Sequence, residues 1–283
     1  MAAASEKTRP TVASLGCLSQ GSVDVAPNPW LAAAGQRAGV PLDDRQRSRF
    51  ELYRQTLIDW NRRTNLTAVT EPDEIDRRLI LDALLAVPTL DRLLSSHAAS
   101  TPKLVDIGSG AGFPGLVIKI ARPHLDVTLI EATGKKVRFL SHLIAALGLD
   151  GVVAQHARAE DLGHHAEHRG VYDIVTARAV ASLPALIELA VPFLRIGGHG
   201  LFPKGRDLAV ELAAGERAAS MLGARVLGAD LVPETETRLV QIAKIDSTPA
   251  RYPRRAGIPA REPLGVAKHP QPPLVPSGST GGR

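Results

Sequence analysis

The sequence predicts an α/β fold, a doubly wound, mostly parallel sheet with a helical cap ahead of it. Three observations point there. Between Lys103 and Ile245, short segments rich in Val, Ile and Leu alternate with helix-patterned stretches. That alternation is what parallel strands require, because each connection must cross the sheet. A glycine-rich turn, GSGAGFPG, closes the first apolar segment. Ahead of it, from Trp30 to Leu94, apolar residues recur at helical spacing.

In chain order, residues 1–30 are rich in Ala, Ser, Gly and Pro and aperiodic, so a disordered head is expected. Residues 31–100 read as a cap of two or three helices. In DDRQRSRFELYRQTLIDWNRR, Phe50, Tyr53, Leu57 and Trp60 fall three and four apart; DEIDRRLILDALLAV opens with acidic residues and has Pro88 beyond it. Residues 101–246 carry the sheet. KLVDIGSG, DVTLIEA, GVVAQHARAED, YDIVTARA and GGHGLFPKG read as strands, with PGLVIKIAR, KKVRFLSHLIAALG and LPALIELAVPFL as helices between them. ARVLGADLV and RLVQIAKI add two late strands. Residues 247–283 have eight prolines and no period, so an extended or disordered tail is expected.

Composition narrows the class. A 44% hydrophobic content is ample for a core, and the single cysteine, Cys17, excludes an internal disulfide and favours a reducing, cytoplasmic setting. The longest apolar stretch, Ile174 to Ile196, is broken by Arg178, Pro184, Glu188 and Arg195, so no membrane span is expected. The net charge of +5 sits in the tail, where five arginines and Lys268 face Glu262 alone. Such a tail suits a polyanionic partner or is merely solvated. His164, His165 and His168 lie in a polar stretch without cysteines or matched carboxylates, and no metal is expected there.

The motif LVDIGSGAGFPG leaves two cofactors open by itself. Gly110, Gly112 and Gly115 satisfy a dinucleotide pattern, and Glu131 stands where an acidic residue would hold a ribose diol. Three features favour S-adenosylmethionine. Asp106, two residues before Gly108, suits a ligand bearing ammonium and sulfonium better than a pyrophosphate, although a carboxylate there can also cap a helix. ARAED places acidic residues after the third strand, where an adenine amino group would lie. LRIGGHGLFPKG has the Leu, double glycine and strand common before the fifth strand of methyltransferases. The fold class is thus the Rossmann-like methyltransferase type.

The acceptor atom is narrowed by the chemistry missing from the pattern. Pyrimidine C5 usually needs a cysteine nucleophile, and the only cysteine lies in the head. The segment after the fourth strand, TARAVASLP, does not match the turn used for exocyclic amines. A ring nitrogen such as guanine N7 has a free lone pair and no proton to remove.

These segments carry a resemblance. WNRRTNLTAVTEP, RRLILDALL, VDIGSGAGFPG, LIEATGKKVRFL, VTARAVASL, LFPKG and RYPRRAGIPAREPL resemble, in order, motifs of the bacterial 16S rRNA guanine-N7 methyltransferases, the glucose-inhibited division protein B family. The resemblance covers about residues 31–265. It implies a cytoplasmic enzyme that methylates N7 of a guanine in the decoding-region loop of 16S rRNA, with the small subunit or its RNA as partner and a monomer as the state. It places Gly108, Gly110, Phe113, Glu131, Ala159, Glu160 and Arg178 at the cofactor, and Arg178 is the one candidate for a catalytic role. The sequence departs from the family with Ala177 for Ser, Val180 for Phe and Glu131 for Asp. RNA contact is expected from Asn65, Lys204, Arg251, Arg254 and Arg255, with Tyr252 stacking on an unpaired base. Asn65 has a plain alternative, capping the Trp60 helix. Other readings are a methyltransferase for another RNA position or a small molecule, an NAD-dependent oxidoreductase, and a non-catalytic RNA-binding module.

Overall fold

The computed structural model describes residues 29–95, 101–178, 181–205, 208–232 and 235–266. The expected disorder of the head therefore lies, up to residue 28, outside the described residues, as does the end of the tail.

Four helical stretches come first. Helix α1 spans Pro29–Arg37 and α2 spans Asp44–Thr64. Asp43 caps α2 in a reciprocal box with Gln46, and Asn65 closes it in the left-handed region at φ 49°. Phe50, Tyr53 and Leu57 are its buried stripe, as their spacing predicts. The third stretch starts at Pro72, with α3 (Pro72–Ile75), a π-helical turn (Asp76–Leu81) and α4 (Asp82–Leu84) in continuous succession. Helix α5 (Val87–Leu94) follows, with Pro88 in its first turn.

The sheet has seven strands in the order β3-β2-β1-β4-β5-β7-β6. Strands β1 (Lys103–Ile107), β2 (Asp126–Glu131), β3 (Val152–His156), β4 (Tyr172–Ala177) and β5 (Leu194–Lys204) are parallel. The late pair, β6 (Ala224–Leu231) and β7 (Arg238–Lys244), joins antiparallel beside β5. The double glycine expected to turn ahead of the fifth strand lies inside it. Tyr172 pairs with Leu194 and Ile174 with His199, so Gly197 and Gly198 occupy an irregularity in register.

Successive strand residues face opposite cores. Leu104, Val127, Leu129, Ile174 and Leu201 join one buried cluster with α6 (Gly115–Ala121), α7 (Gly134–Ala146) and the N-terminal helices. Val105, Ile130, Val175, Phe202 and Val240 join a second with α9 (Leu183–Ala190) and α10 (Ala209–Met221). The strand order reverses between β1 and β4, and ligands of open α/β sheets bind at the carboxyl ends of the strands beside such a reversal.

Candidate active site

The loop after β1 is built from its glycines. The N–H groups of Gly108 and Ser109 both donate to the Ile130 carbonyl on β2, at 2.8 and 3.1 Å, extending the sheet contact past the strand. Gly112 holds φ at 97°, and a Cβ there would stand 2.6 Å from the Tyr53 hydroxyl oxygen, so this position admits only glycine without displacing α2. The Tyr53 hydroxyl donates to the Ala111 carbonyl at 2.6 Å, and its ring stacks on Phe113 with centroids 5.0 Å apart. Phe113, expected at the cofactor, is thus turned inward. Its buried ring packs on Tyr53.

Two carboxylates stiffen the loop. Asp106 is fully buried, and one of its oxygens accepts from Gly115 N–H at 3.2 Å; the other has no hydrogen-bond partner among the described residues. Burial raises its pKa to about 7, with the Glu131 charge adding and the Gly115 N–H and Ser109 opposing. The Gly115 hydrogen bond ties Asp106 to the first residue of α6, and burial closes the carboxylate to solvent. Glu131 accepts from Gly110 N–H at 3.0 Å and from Thr133 N–H at 2.7 Å, clamping the loop to the end of β2.

A cleft opens on this side of the reversal. Ile107 and Gly108 form its floor, Ile130 and Ala132 flank it from β2, and Ala157 to Glu160 approach from β3. The expected acidic strand end is instead the start of a short helix, α8 (Ala159–Leu162), entered through an extended Arg158. Ala159 and Glu160 both line the cleft. The far wall is Gly257, Pro259 and Ala260, contributed by the segment expected to be an extended or disordered tail. Nothing local in the sequence marks these three residues; only the matched RYPRRAGIPAREPL segment draws attention to them.

As far as Val266, that tail is folded. Glu188, fully buried on α9, accepts from the Arg254 backbone N–H and from its guanidinium, at 2.9, 2.9 and 2.7 Å. A short helix, α11 (Ile258–Arg261), follows, and Gly257 N–H donates to Glu160 at 3.0 Å. Two expectations change as a result. The Arg254 guanidinium is committed to Glu188 and to the Glu262 carbonyl, so it is a structural anchor and not an RNA contact. Tyr252 is buried beneath Arg251 and is not open to stack on a base. Arg251 and Arg255 remain exposed.

Across the reversal lies a second, polar cavity lined by Asp82, Arg178, Pro203, Lys204, Gly205 and Thr237. Arg178, placed at the cofactor by the resemblance, is found here; Ala181 is the residue of the β4–α9 connection that lines the first cleft. The reason is the π-helical turn. The Asp82 N–H donates to the Leu79 carbonyl, so the Arg78 carbonyl, which a regular α-helix would assign to it, accepts from Arg178 Nη2 at 2.7 Å. Lys204 Nζ donates to the Ala181 carbonyl at 3.1 Å and pairs with Glu211 at 2.8 Å. Burial works against the Glu211 charge, but Lys204 and the Leu183 N–H outweigh it and hold its pKa below the usual range. Asn65 is exposed at the end of α2, where it is the left-handed cap. The structure thus brings Gly108, Ala159 and Glu160 together at one cleft, with Gly110 and Glu131 in its supporting loop, and gathers Arg178 and Lys204 at the other.

Comparison with known proteins decides between the chemistries. The family model for rRNA small subunit methyltransferase G matches residues 46–240. The ribosomal RNA small subunit methyltransferase G of Chloroflexus aggregans is 48% identical over 229 residues, 80% of this chain and 93% of that protein. The protein of the same name from Streptococcus equi subsp. zooepidemicus is 41% identical over 233 residues, 81% and 96% of the two chains.

The chain belongs to the rRNA small subunit methyltransferase G family.

Membership removes the oxidoreductase and non-catalytic readings, and the cofactor of this methyltransferase G family member is S-adenosylmethionine. The chain fits that group. The cleft beside Gly108 is lined by the small side chains of Ala132, Ala157, Ala159 and Ala260 together with Glu160, a lining suited to a flat, polar-edged group such as adenine. Among the described residues no three His, Cys, Asp or Glu side chains group as metal ligands, and no helix is long and apolar enough to cross a membrane.

Proposed function

We propose that this chain methylates N7 of a guanine in the decoding-region loop of 16S rRNA, acting as a cytoplasmic monomer on the small subunit or its RNA. The observation that carries this reading is the pair of cavities on opposite sides of one strand reversal, joined by Lys204 through the Ala181 carbonyl. One cavity suits a methyl donor, the other an acceptor base.

S-adenosylmethionine supplies an electrophilic methyl group on a sulfonium. The chain's residues do the binding and alignment. Positive φ at Gly108 keeps the floor free of a side chain, the Gly110 N–H and Glu131 fix the loop, and Glu131 is the acceptor for a ribose diol. Ala159 and Glu160 flank the adenine. The base approaches from the side of Arg178 and Lys204, and the exposed Arg251, Arg255 and Asn65 meet the RNA backbone around it. Guanine N7 carries no proton at neutral pH, so no side chain has to remove one. Alignment alone is worth roughly 7–11 kcal/mol in favourable cases.

The test is incubation with methyl-labelled S-adenosylmethionine and small subunits from a strain lacking this methylation, followed by nucleoside digestion. The expected product is 7-methylguanosine at one position of 16S rRNA. Label on an exocyclic amine, a pyrimidine or a ribose overturns the proposal.

A further inference from the structure

A cationic surface stands where α2 meets α7. The two helices run antiparallel. Arg49, early in α2, donates to the Leu147 and Gly148 carbonyls past the end of α7, at 3.0 and 2.6 Å. Trp60, late in α2, lies against Phe139 and His142, with ring centroids 5.6 and 5.1 Å away. The last turn of α2 is thereby set beside the first turn of α7. Arg62 and Arg63 stand on one, Lys135 and Arg138 on the other, and all four are exposed. Lys135, Arg138 and His142 fall three and four apart, so they line one side of α7, alongside Trp60. Trp60 and both arginines also line a cavity of about 480 Å³, with Asp59 and Thr64.

The fold does not neutralise these cations. In the same helical region Arg47, Arg54 and Arg77 each pair with an acid three residues before them. Arg62 has Asp59 at that spacing, but at 3.7 Å, too long for a hydrogen bond. Arg63, Lys135 and Arg138 have no side-chain ion pair or hydrogen bond among the described residues. Helix α7, GKKVRFLSHLIAA, contains no acidic residue, and its cations stand at the helix start, the end where the helix dipole disfavours them.

Cations around a partly accessible aromatic ring suit a single strand of RNA. Guanidinium and ammonium groups hold phosphates, and the ring takes the face of an unpaired base. A duplex buries those faces in its own stack. Resting on the rRNA reading above, we propose that the α2–α7 surface holds an unpaired strand of the substrate RNA next to the target. Trp60 stacks on one base, Arg62 and Arg63 flank it, and Lys135 and Arg138 take neighbouring phosphates. The surface adjoins the methyl-donor cleft, because Ala132, two residues before α7, lines that cleft. It also continues from Asn65, the cap of α2, where RNA contact is expected. Arg255 lies across the cleft, two residues before Gly257 on the far wall. The RNA is then held on two sides of the cleft.

The test compares the wild type with a variant combining Arg62→Ala, Arg63→Ala, Lys135→Ala and Arg138→Ala. Affinity for deproteinised 16S rRNA is measured at several salt concentrations. Each single-strand phosphate contact contributes about 0.7 to the slope of log affinity against log salt, so the variant is expected to be shallower by about 2–3. At low salt it is expected to bind at least about tenfold more weakly. Calorimetry with S-adenosylmethionine is expected to stay within about twofold of the wild type, which shows the fold and the cleft intact. Arg62→Lys, Arg63→Lys and Arg138→Lys together keep the charges and are expected to keep the slope. Trp60 emission, taken as the difference between the wild type and Trp60→Phe, is expected to fall as RNA is added. Equal slopes and equal affinities overturn the proposal. Emission unchanged at saturating RNA overturns the stacking contact, and with it the choice of a single strand. Weaker binding to assembled small subunits alone, with deproteinised rRNA bound as before, assigns the surface to a ribosomal protein and also overturns the proposal. Label on a nucleoside other than 7-methylguanosine overturns the function reading, whereas 7-methylguanosine formed with an unchanged salt slope overturns this inference alone.

Discussion

Asp106 shows how much a single side chain depends on what surrounds it. On the strand it is one carboxylate before a glycine turn; in the fold it lies under α6 with one oxygen on Gly115 N–H and the other unpartnered. Its pKa is raised to about 7, chiefly by burial, so the native state keeps a proton that the unfolded chain has already released. Between about pH 4 and pH 7 the native form binds more protons, and stability falls as pH rises through that window and levels off above it. Asp106→Asn removes the titration. Thermal melts of the cofactor-free protein from pH 4.5 to 8 are expected to show the variant gaining on the wild type as pH rises. Parallel curves would show that the carboxylate is already ionised at the low end. The role was ambiguous in the sequence because ammonium binding and helix capping ask for the same residue at the same place, and only burial separates them.

At the scale of elements, the C-terminal segment departs most from its sequence. Eight prolines and five arginines with no apolar period read as solvated chain. The anchor that folds residues 247–266 is polar and remote, the pairing of Arg254 with Glu188 on α9, sixty-six positions away. A buried charge is costly alone and tolerable when paired, so each residue requires the other. Arg254→Ala strands Glu188 in the core and is expected to cost about 3–5 kcal/mol. It should also weaken S-adenosylmethionine binding, because Gly257, Pro259 and Ala260 would lose their place on the cleft wall. Arg251→Ala and Arg255→Ala, both exposed, are expected to stay within about 0.5 kcal/mol of the wild type and to flatten the salt dependence of RNA affinity instead. Urea unfolding and calorimetry on the three variants check this. Equal destabilisation by all three would remove the distinction between anchor and surface charge.

The whole molecule is held by the sharing of its cores. Leu31, Phe50, Ile80, Leu104, Leu116, Phe139 and Leu239 belong to one buried cluster, so the N-terminal helices are the cover of one sheet face and have no core of their own. Tyr53 reaches from that cover to the glycine loop, and Arg178 reaches from β4 to the π-helical turn. The helical region and the sheet are therefore expected to unfold in one transition, with coincident far-ultraviolet and tryptophan signals; Trp30 and Trp60 both report on the helical side. Two separated transitions would show an independent cap domain.

What the sequence determined by itself was the local and periodic part. The helical stripe of Phe50, Tyr53 and Leu57, the order of strands and helices, the glycine turn and the matched motifs are all set by near neighbours and by side-chain period. The tertiary structure decided where these pieces converge. It set Arg178 against the π-helical turn, turned Phe113 onto Tyr53, brought Asp82 and Thr237 together across 155 positions, and closed the cleft with the C-terminal segment. These are encounters between residues far apart in the chain. Their outcome rests on burial and on the hydrogen-bond partners that burial enforces, and neither is written in the local pattern of the sequence.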